Sequence, residues 1–154
     1  MARTKCGFDD GPQVSGRDML ASLGPTIFVD IGFDQNFSPQ NLPIQIPTPG
    51  IRGVKALVDT GASECCIDSM LAAQLKLPVV DRRQVGGVGG SLTVNIHLAQ
   101  VHVPALGYTM YGAFAGVHLQ SGGQMHLALV GRTLLQHFTM IYEGRTGTVT
   151  IHNE

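Results

Sequence analysis

The sequence predicts an all-β domain, and three observations carry that prediction. Twenty glycines and eight prolines in 154 residues make a chain that turns often, with only 6% aromatic residues and no Trp. Apolar and polar residues alternate over several short stretches, as strands with one buried face require. Helical spacing is confined to brief segments, the last of them around Thr133–His137.

The elements follow in order. Residues 1–24 hold six charges and no sustained period, and read as an N-terminal extension of unknown role, loosely ordered or packed on a partner. The domain proper is expected over 25–154. From Pro25, Ile27, Val29 and Ile31 alternate with Phe28, Asp30 and Gly32 in a strand ending near Phe33. Pro39, Pro43, Pro47 and Pro49 then mark Asp34–Gly50 as a long surface loop. Lys55–Val58 is an apolar strand. After the turn at Asp59-Thr60-Gly61, Asp68 or Ser69 caps a helical pattern of Met70, Leu71, Leu75 and Leu77, which Pro78 stops. Val85–Gly90 reads as a mobile turn, and Asp81-Arg82-Arg83 as a solvated loop before it. In the next strand Leu92, Val94, Ile96 and Leu98 form one apolar face, after which the phase switches to Ala99, Val101 and Val103. Such a switch predicts a bulge or a crossing between sheets. Tyr108–Leu119 is a further strand, Ser121-Gly122-Gly123 a turn, and His126–Val130 a short strand. The chain closes in a hairpin pairing Phe138–Tyr142 with Thr148–His152.

A chain of this length buries roughly 70% of the surface its unfolded form exposes, so one core suffices. A formal net charge of −1, with 14% charged residues, gives no electrostatic footprint for nucleic acid or anionic lipid, and neither is expected as a partner. Gln84–Gly131 contains no Asp, Glu, Lys or Arg, but glycines, histidines and Pro104 break it, so it reads as strands rather than a membrane span. The first residues are charged where a signal peptide needs an apolar stretch. Cys6, Cys65 and Cys66 are too few and oddly numbered for a disulfide framework, which favours a reducing, cytoplasmic setting and makes the adjacent pair buried filler. The six histidines show no metal-ligand spacing, and no metal or cofactor is expected.

The residues that carry chemistry are few. Asp59-Thr60-Gly61, followed by Ala62-Ser63, places a carboxylate at the end of a rigid strand beside a glycine that lets other backbone come close. The tripeptide Ala56-Leu57-Val58 before it returns as Ala128-Leu129-Val130 before Gly131-Arg132-Thr133, so the domain reads as two related halves. Between them lies the run Val85-Gly86-Gly87-Val88-Gly89-Gly90. In this order the three motifs resemble the retropepsins, the single-domain retroviral-type aspartic proteases, over about Pro25 to His152.

The resemblance implies an acid-protease fold with one short C-terminal helix, closing as a symmetric homodimer. It makes Asp59 catalytic, with Thr60, Gly61 and Ala62 supporting it. Val85, Gly86, Gly87, Val88, Gly89 and Gly90 become the tip of a flap over an extended polypeptide substrate. Leu129, Val130, Gly131 and Arg132 become the structural buttress of the site. Each chain supplies one acid, so a two-fold axis must bring Asp59 of two copies together. Two carboxylates so close share one proton, and the ionised member activates a water while the protonated one polarises the scissile carbonyl.

Two departures from the viral pattern stand out. Many retropepsins carry an acid four residues past the catalytic Asp that pairs with the late Arg, but here that position is Ser63, with Glu64 next, so the partner of Arg132 is open. The chain also runs past its helix into a full hairpin, so the dimer sheet is expected to be built differently. Rival readings of the same residues are a non-catalytic peptide-binding or dimerisation module, a monomer whose Asp59 never meets a twin, and, for Asp59 alone, a capping or turn aspartate.

Overall fold

The computed structural model describes residues 2–36, 50–87 and 89–153. Strand β1 (Arg3–Lys5) leads to helix α1 (Gly16–Leu23) and strand β2 (Thr26–Gly32). Strands β3 (Ile51–Val58) and β4 (Cys66–Asp68), helix α2 (Ser69–Gln74), and strands β5 (Val79–Gly87) and β6 (Gly90–Val103) follow. A 3-10 turn at Pro104–Leu106 leads into β7 (Tyr108–Val117), β8 (Ala128–Val130), helix α3 (Arg132–Leu135), β9 (Thr139–Glu143) and β10 (Thr148–His152). The class is all-β, as composition and alternation predict. No helix among the described residues is long and apolar enough to cross a membrane.

The larger sheet runs β2-β3-β8-β4-β7-β6-β5, and β2 also pairs with β6. That extra pairing closes six strands on themselves and leaves β5 attached to the outer half of β6. Closure removes strand edges and creates an interior, filled by Val29, Ile31, Val54, Ala56, Ala99, Val101, Val103 and Val130.

The phase switch in β6 marks this closure. Its first half pairs with β5 as far as His97, and its second half pairs with β2 through Gln100, Val101 and His102. Val94 and Ile96 pack with Ala115 in a small separate cluster, while Ala99, Val101 and Val103 turn into the main core. The β5–β6 hairpin therefore projects from the barrel. Leu92, assigned by alternation to a buried face, lies beyond that cluster and is exposed.

Three expectations need correction. Residues 2–24 are packed on the chain's own fold rather than loose. Strand β1 pairs antiparallel with β10, Cys6 and Leu20 sit in the main core, and Ser15 caps α1 by accepting from Asp18 N–H. Glycines permit this docking: a Cβ on Gly7 would meet the Gly147 carbonyl, and one on Gly147 the backbone of Gly16. Helix α1 is thus an addition to the short C-terminal helix. The second correction concerns Val85, Gly86 and Gly87, which lie in the β5 ladder opposite Leu92, Ser91 and Gly90 and so are strand rather than turn. Of these, Val88 lies outside the described residues, as does most of the Pro-rich loop. Third, Asp81-Arg82-Arg83 is strand, not loop.

Candidate active site

The two Ala-Leu-Val tripeptides lie side by side. Strands β3 and β8 run parallel in register, Ala56 opposite Ala128, Leu57 opposite Leu129 and Val58 opposite Val130. Both strands end together, one delivering Asp59 and the other Gly131. The pairing continues one step further, because Asp59 N–H donates to the Val130 carbonyl at 2.9 Å. The catalytic candidate thus inherits the rigidity of a strand buried in the core.

Beyond this anchor the loop folds back on its own acid. Gly61 N–H donates to Asp59 Oδ1 at 2.9 Å, and Ala62 N–H to the Asp59 carbonyl at 3.3 Å. The first bond orients the carboxylate through one of its oxygens. Asp59 is half-buried, and Thr60 and Gly61 are exposed, so the triplet forms a surface.

The Gly131–Arg132 corner holds the loop from below. Arg132 N–H donates to the Ala62 carbonyl at 2.9 Å and Thr133 N–H to the Ser63 carbonyl at 3.0 Å. Arg132 Nη1 reaches the Thr60 carbonyl at 2.7 Å. Gly131 is required here for space: a Cβ would lie 2.5 Å from the Glu64 carbonyl oxygen and 2.8 Å from that of Ala62. The open question of the Arg132 partner is therefore answered by backbone, at Thr60, and not by the neighbouring acid.

That acid is engaged elsewhere. Glu64 Oε2 lies 3.9 Å from Arg83 Nη1 of β5, and Arg83 Nε lies 3.6 Å from Asp81. The guanidinium links the Asp59 loop to the projecting hairpin. In an antiparallel ladder facing residues share a side, so Arg83 and Val94 share one with Val85 and Leu92. The side of the hairpin that meets the Asp59 loop therefore carries two apolar side chains near its tip, Val85 at 38% and Leu92 at 52% exposure.

Sequence reasoning missed two contributors. Cys65 Sγ accepts from Gly131 N–H at 3.3 Å, so this cysteine braces the corner. Burial pushes the neighbouring Cys66 thiol up to about 11, helped by Cys65, Glu64 and Asp59. Asp68 is buried and its carboxylate accepts from three backbone N–H groups, those of Leu71, Leu119 and Gln120. Its capping role is legible from Asp68-Ser69 ahead of an apolar helix, but its long-range bonds are not.

A family model described as aspartyl protease matches residues 46–134, more than half the chain. The chain belongs to the aspartyl protease family. Among solved structures it is similar to EIAV protease complexed with the inhibitor HBY-793, at 19% identity over 73% of this chain and 85% of that one, with a TM-score of 0.47. It is also similar to a retropepsin-like aspartic protease from Rickettsia conorii, at 14% identity over 97% of this chain and 90% of that one, with a TM-score of 0.46. No curated protein matches the chain.

Proposed function

We propose that the protein is a homodimeric aspartic endopeptidase in which Asp59 of two copies activates a water against a peptide bond. The observation that carries this reading is the state of Asp59: one acid at a strand end, fixed by Gly61 N–H and Val130 O, and only half-buried. A single carboxylate in this position can be base or acid but not both. Two copies about a two-fold axis share one proton and divide the roles, with no covalent intermediate.

The β5–β6 hairpin acts as the flap. Arg83 aims its inner side toward the Asp59 loop, and Val85 and Leu92 on that side form an apolar lid. Gly86, Gly87, Gly89 and Gly90 at the tip leave backbone groups accessible to an extended substrate and permit the turn to open. The preferred substrates are polypeptides with apolar residues around the scissile bond, cleaved fastest at mildly acidic pH, where one proton resides on the pair. Thr60, Gly61 and Ala62 support the acid, and Leu129 to Arg132 brace it. Three free thiols suit a reducing, cytoplasmic setting.

The test is incubation with an unbiased peptide library, with and without pepstatin, beside an Asp59→Asn variant. Asparagine keeps an acceptor for Gly61 N–H, so fold and assembly should survive while the rate falls by about 100- to 10,000-fold. Full activity in that variant would remove Asp59 from the mechanism.

A further inference from the structure

Strand β7 is flanked on both sides over only part of its length. On one side β6 pairs with it from Tyr108 to Ala115, but on the other β4 joins it only at Ala115, Gly116 and Val117. Upstream of that junction the two segments separate like the arms of a fork. The arm that contains Glu64 and Cys65 is drawn toward α3, because Arg132 N–H and Thr133 N–H donate to the Ala62 and Ser63 carbonyls. The fork encloses a cleft of about 330 Å3, bounded by Glu64 and Cys65, by Thr133 and by residues 108–114. That volume is at the small end of ligand pockets, about 300–1,000 Å3, and suits a small molecule or one side chain rather than a length of chain. None of Asp59, Thr60, Gly61, Ala62, Val85 and Leu92 lines it, so the cleft is separate from the gap between the hairpin and the acid.

Its lining has one sign of charge. Among the described residues that line it, Glu64 alone is charged at neutral pH. Because the cleft follows the edge of β7, rings from both faces of the strand reach it, Tyr108 and Phe114 from one and Tyr111 from the other. Cys65 Sγ lies 3.8 Å from Met110 Sδ and 3.7 Å from Thr133 Oγ1, which makes a soft, polarisable floor. Tyr108 is fixed by its neighbours, its ring centroid 5.3 Å from that of Phe138, edge to face, and 5.5 Å from that of His137. Burial, and then Cys65, push its phenol pKa up, so it stays a neutral hydroxyl. A carboxylate among aromatic rings favours a cation carried on an apolar body, since acid and ring faces both attract positive charge and repel an anion.

Glu64 can exchange its present partner. Arg83 Nη1 stands 3.9 Å from Glu64 Oε2, at the limit of an ion pair, with the Glu64 side chain 63% exposed, and such a pair contributes little. Arg83 keeps Asp81 at 3.6 Å when Glu64 turns away. We propose that this cleft is a second binding site, which takes a small organic cation: an ammonium or guanidinium on an aromatic or aliphatic stem, with Glu64 as counter-ion and Tyr108, Tyr111 and Phe114 around the stem. The floor connects it to the acid, because Cys65 Sγ accepts from Gly131 N–H at the corner that holds the Asp59 loop.

The probe is phenethylammonium, with 2-phenylethanol and 3-phenylpropionate as neutral and anionic controls of similar shape. Titrated into the full chain and followed by NMR, the ammonium should saturate amide shifts at Glu64, Cys65, Thr133 and residues 108–114. A dissociation constant on the order of 1 mM is what about nine ligand atoms can provide. Gly131 should shift with them through the Cys65 bond. The alcohol should bind at least about 10-fold more weakly and the carboxylate not at all. Glu64→Gln, with a melting curve like that of the wild type, should weaken the ammonium at least about 10-fold and bring it level with the alcohol. Arg83→Ala should bind it as tightly as the wild type or more so, because the competing guanidinium is gone. Asp59→Asn should bind it unchanged, so the site stands or falls apart from the hydrolytic reading.

A free amine and a basic side chain of a bound polypeptide carry the same group. Asp59→Asn separates these sources, since on the hydrolytic reading it leaves peptides uncut. An apolar peptide with one Arg that displaces the ammonium, where its Gln counterpart does not, assigns the cation to the polypeptide. Displacement by neither assigns it to a free small molecule, and both results uphold the site. Displacement by both peptides puts the cleft within the peptide channel and overturns it. Shifts that do not saturate, equal binding of ammonium and alcohol, unchanged binding by Glu64→Gln, or shifts centred on residues 59–62 that vanish in Asp59→Asn each overturn it as well.

Discussion

Arg132 Nη1 donates to the Thr60 carbonyl at 2.7 Å, while the backbone N–H of the same residue donates to the Ala62 carbonyl. One residue at the head of α3 therefore holds the Asp59 loop at two points, on either side of Gly61. Removing the side chain leaves the second point intact, so the loop should loosen without unfolding. A charge-assisted bond contributes about 1.5–3 kcal/mol when dry, and less at this exposed site. Arg132→Ala is expected to lower kcat/KM about 10-fold with a Tm within a few degrees of wild type, and Arg132→Lys to restore only part of it, since an ammonium lacks the guanidinium's reach and planarity. Steady-state kinetics on one peptide with a melting curve would check both parts.

Val85 and Leu92 face each other across the hairpin on the side that Arg83 turns toward the Asp59 loop. If they cover substrate, they are buried only in the complex, and burying such a side chain contributes about 1.5–3 kcal/mol. Leu92→Ser should therefore raise KM for an apolar peptide at least about 10-fold. Because Leu92 is already exposed in the free chain, Tm should hardly move. A loss of stability without a change in KM would mean that the side chain serves the fold instead.

How much of this was legible in the sequence depends on how local the signal is. Strands β2, β3, β6 and β7, the C-terminal hairpin and the Asp68 cap follow from alternation, turn residues and spacing, which act over a few positions. The Asp59 triplet and the Gly131-Arg132 motif were legible as an ordered pair, and the echo of Ala-Leu-Val foreshadowed the parallel pairing of β3 with β8. The N-terminal residues were misjudged because β1 is three residues long and owes its place to β10, about 150 positions away. Short β4 was missed for the same reason, since its partners are β7 and β8. Glu64 and Arg83 meet only because the hairpin projects over the loop, and no spacing rule connects them.

His126 is fully buried, with Nε2 2.7 Å from Thr26 Oγ1 and Nδ1 3.0 Å from Gln124 Oε1. Burial, with Lys55 adding like charge, holds its pKa below the ordinary value of 6.5. The unfolded chain then takes up a proton below about pH 6.5 that the folded one refuses. Stability from this residue is complete above pH 6.5 and lost as pH falls toward the lowered folded value, at up to about 1.4 kcal/mol per pH unit. The range overlaps the mildly acidic conditions proposed for catalysis. Tm measured from pH 7.5 downward should decline below 6.5 in the wild type and decline less in His126→Gln, which keeps a neutral polar group between Thr26 and Gln124. Parallel profiles would show that another group governs acid stability.

Asp68 joins three segments at one buried carboxylate. Oδ2 accepts from Leu71 N–H at 3.2 Å and caps α2, while Oδ1 accepts from Leu119 N–H at 3.1 Å and Gln120 N–H at 3.0 Å. Its own N–H donates to the Leu127 carbonyl at 2.9 Å, so both ends of the connection from β7 to β8 are tied to one residue. Replacing it by Ala strands three backbone donors, one of them the Leu71 N–H that it caps, each costing about 1–3 kcal/mol if buried. Water reaching some of these donors would offset part of the loss, so Asp68→Ala should destabilise the fold by about 3 kcal/mol or more in urea unfolding. Asp68→Asn retains one acceptor but turns an NH2 toward N–H donors, so it should fall between the two. Because β8 carries the Val130 carbonyl that anchors Asp59, hydrogen exchange should speed up at Leu119 and Gln120 first and at Asp59 next. Exchange confined to α2 would show that the carboxylate acts only as a helix cap.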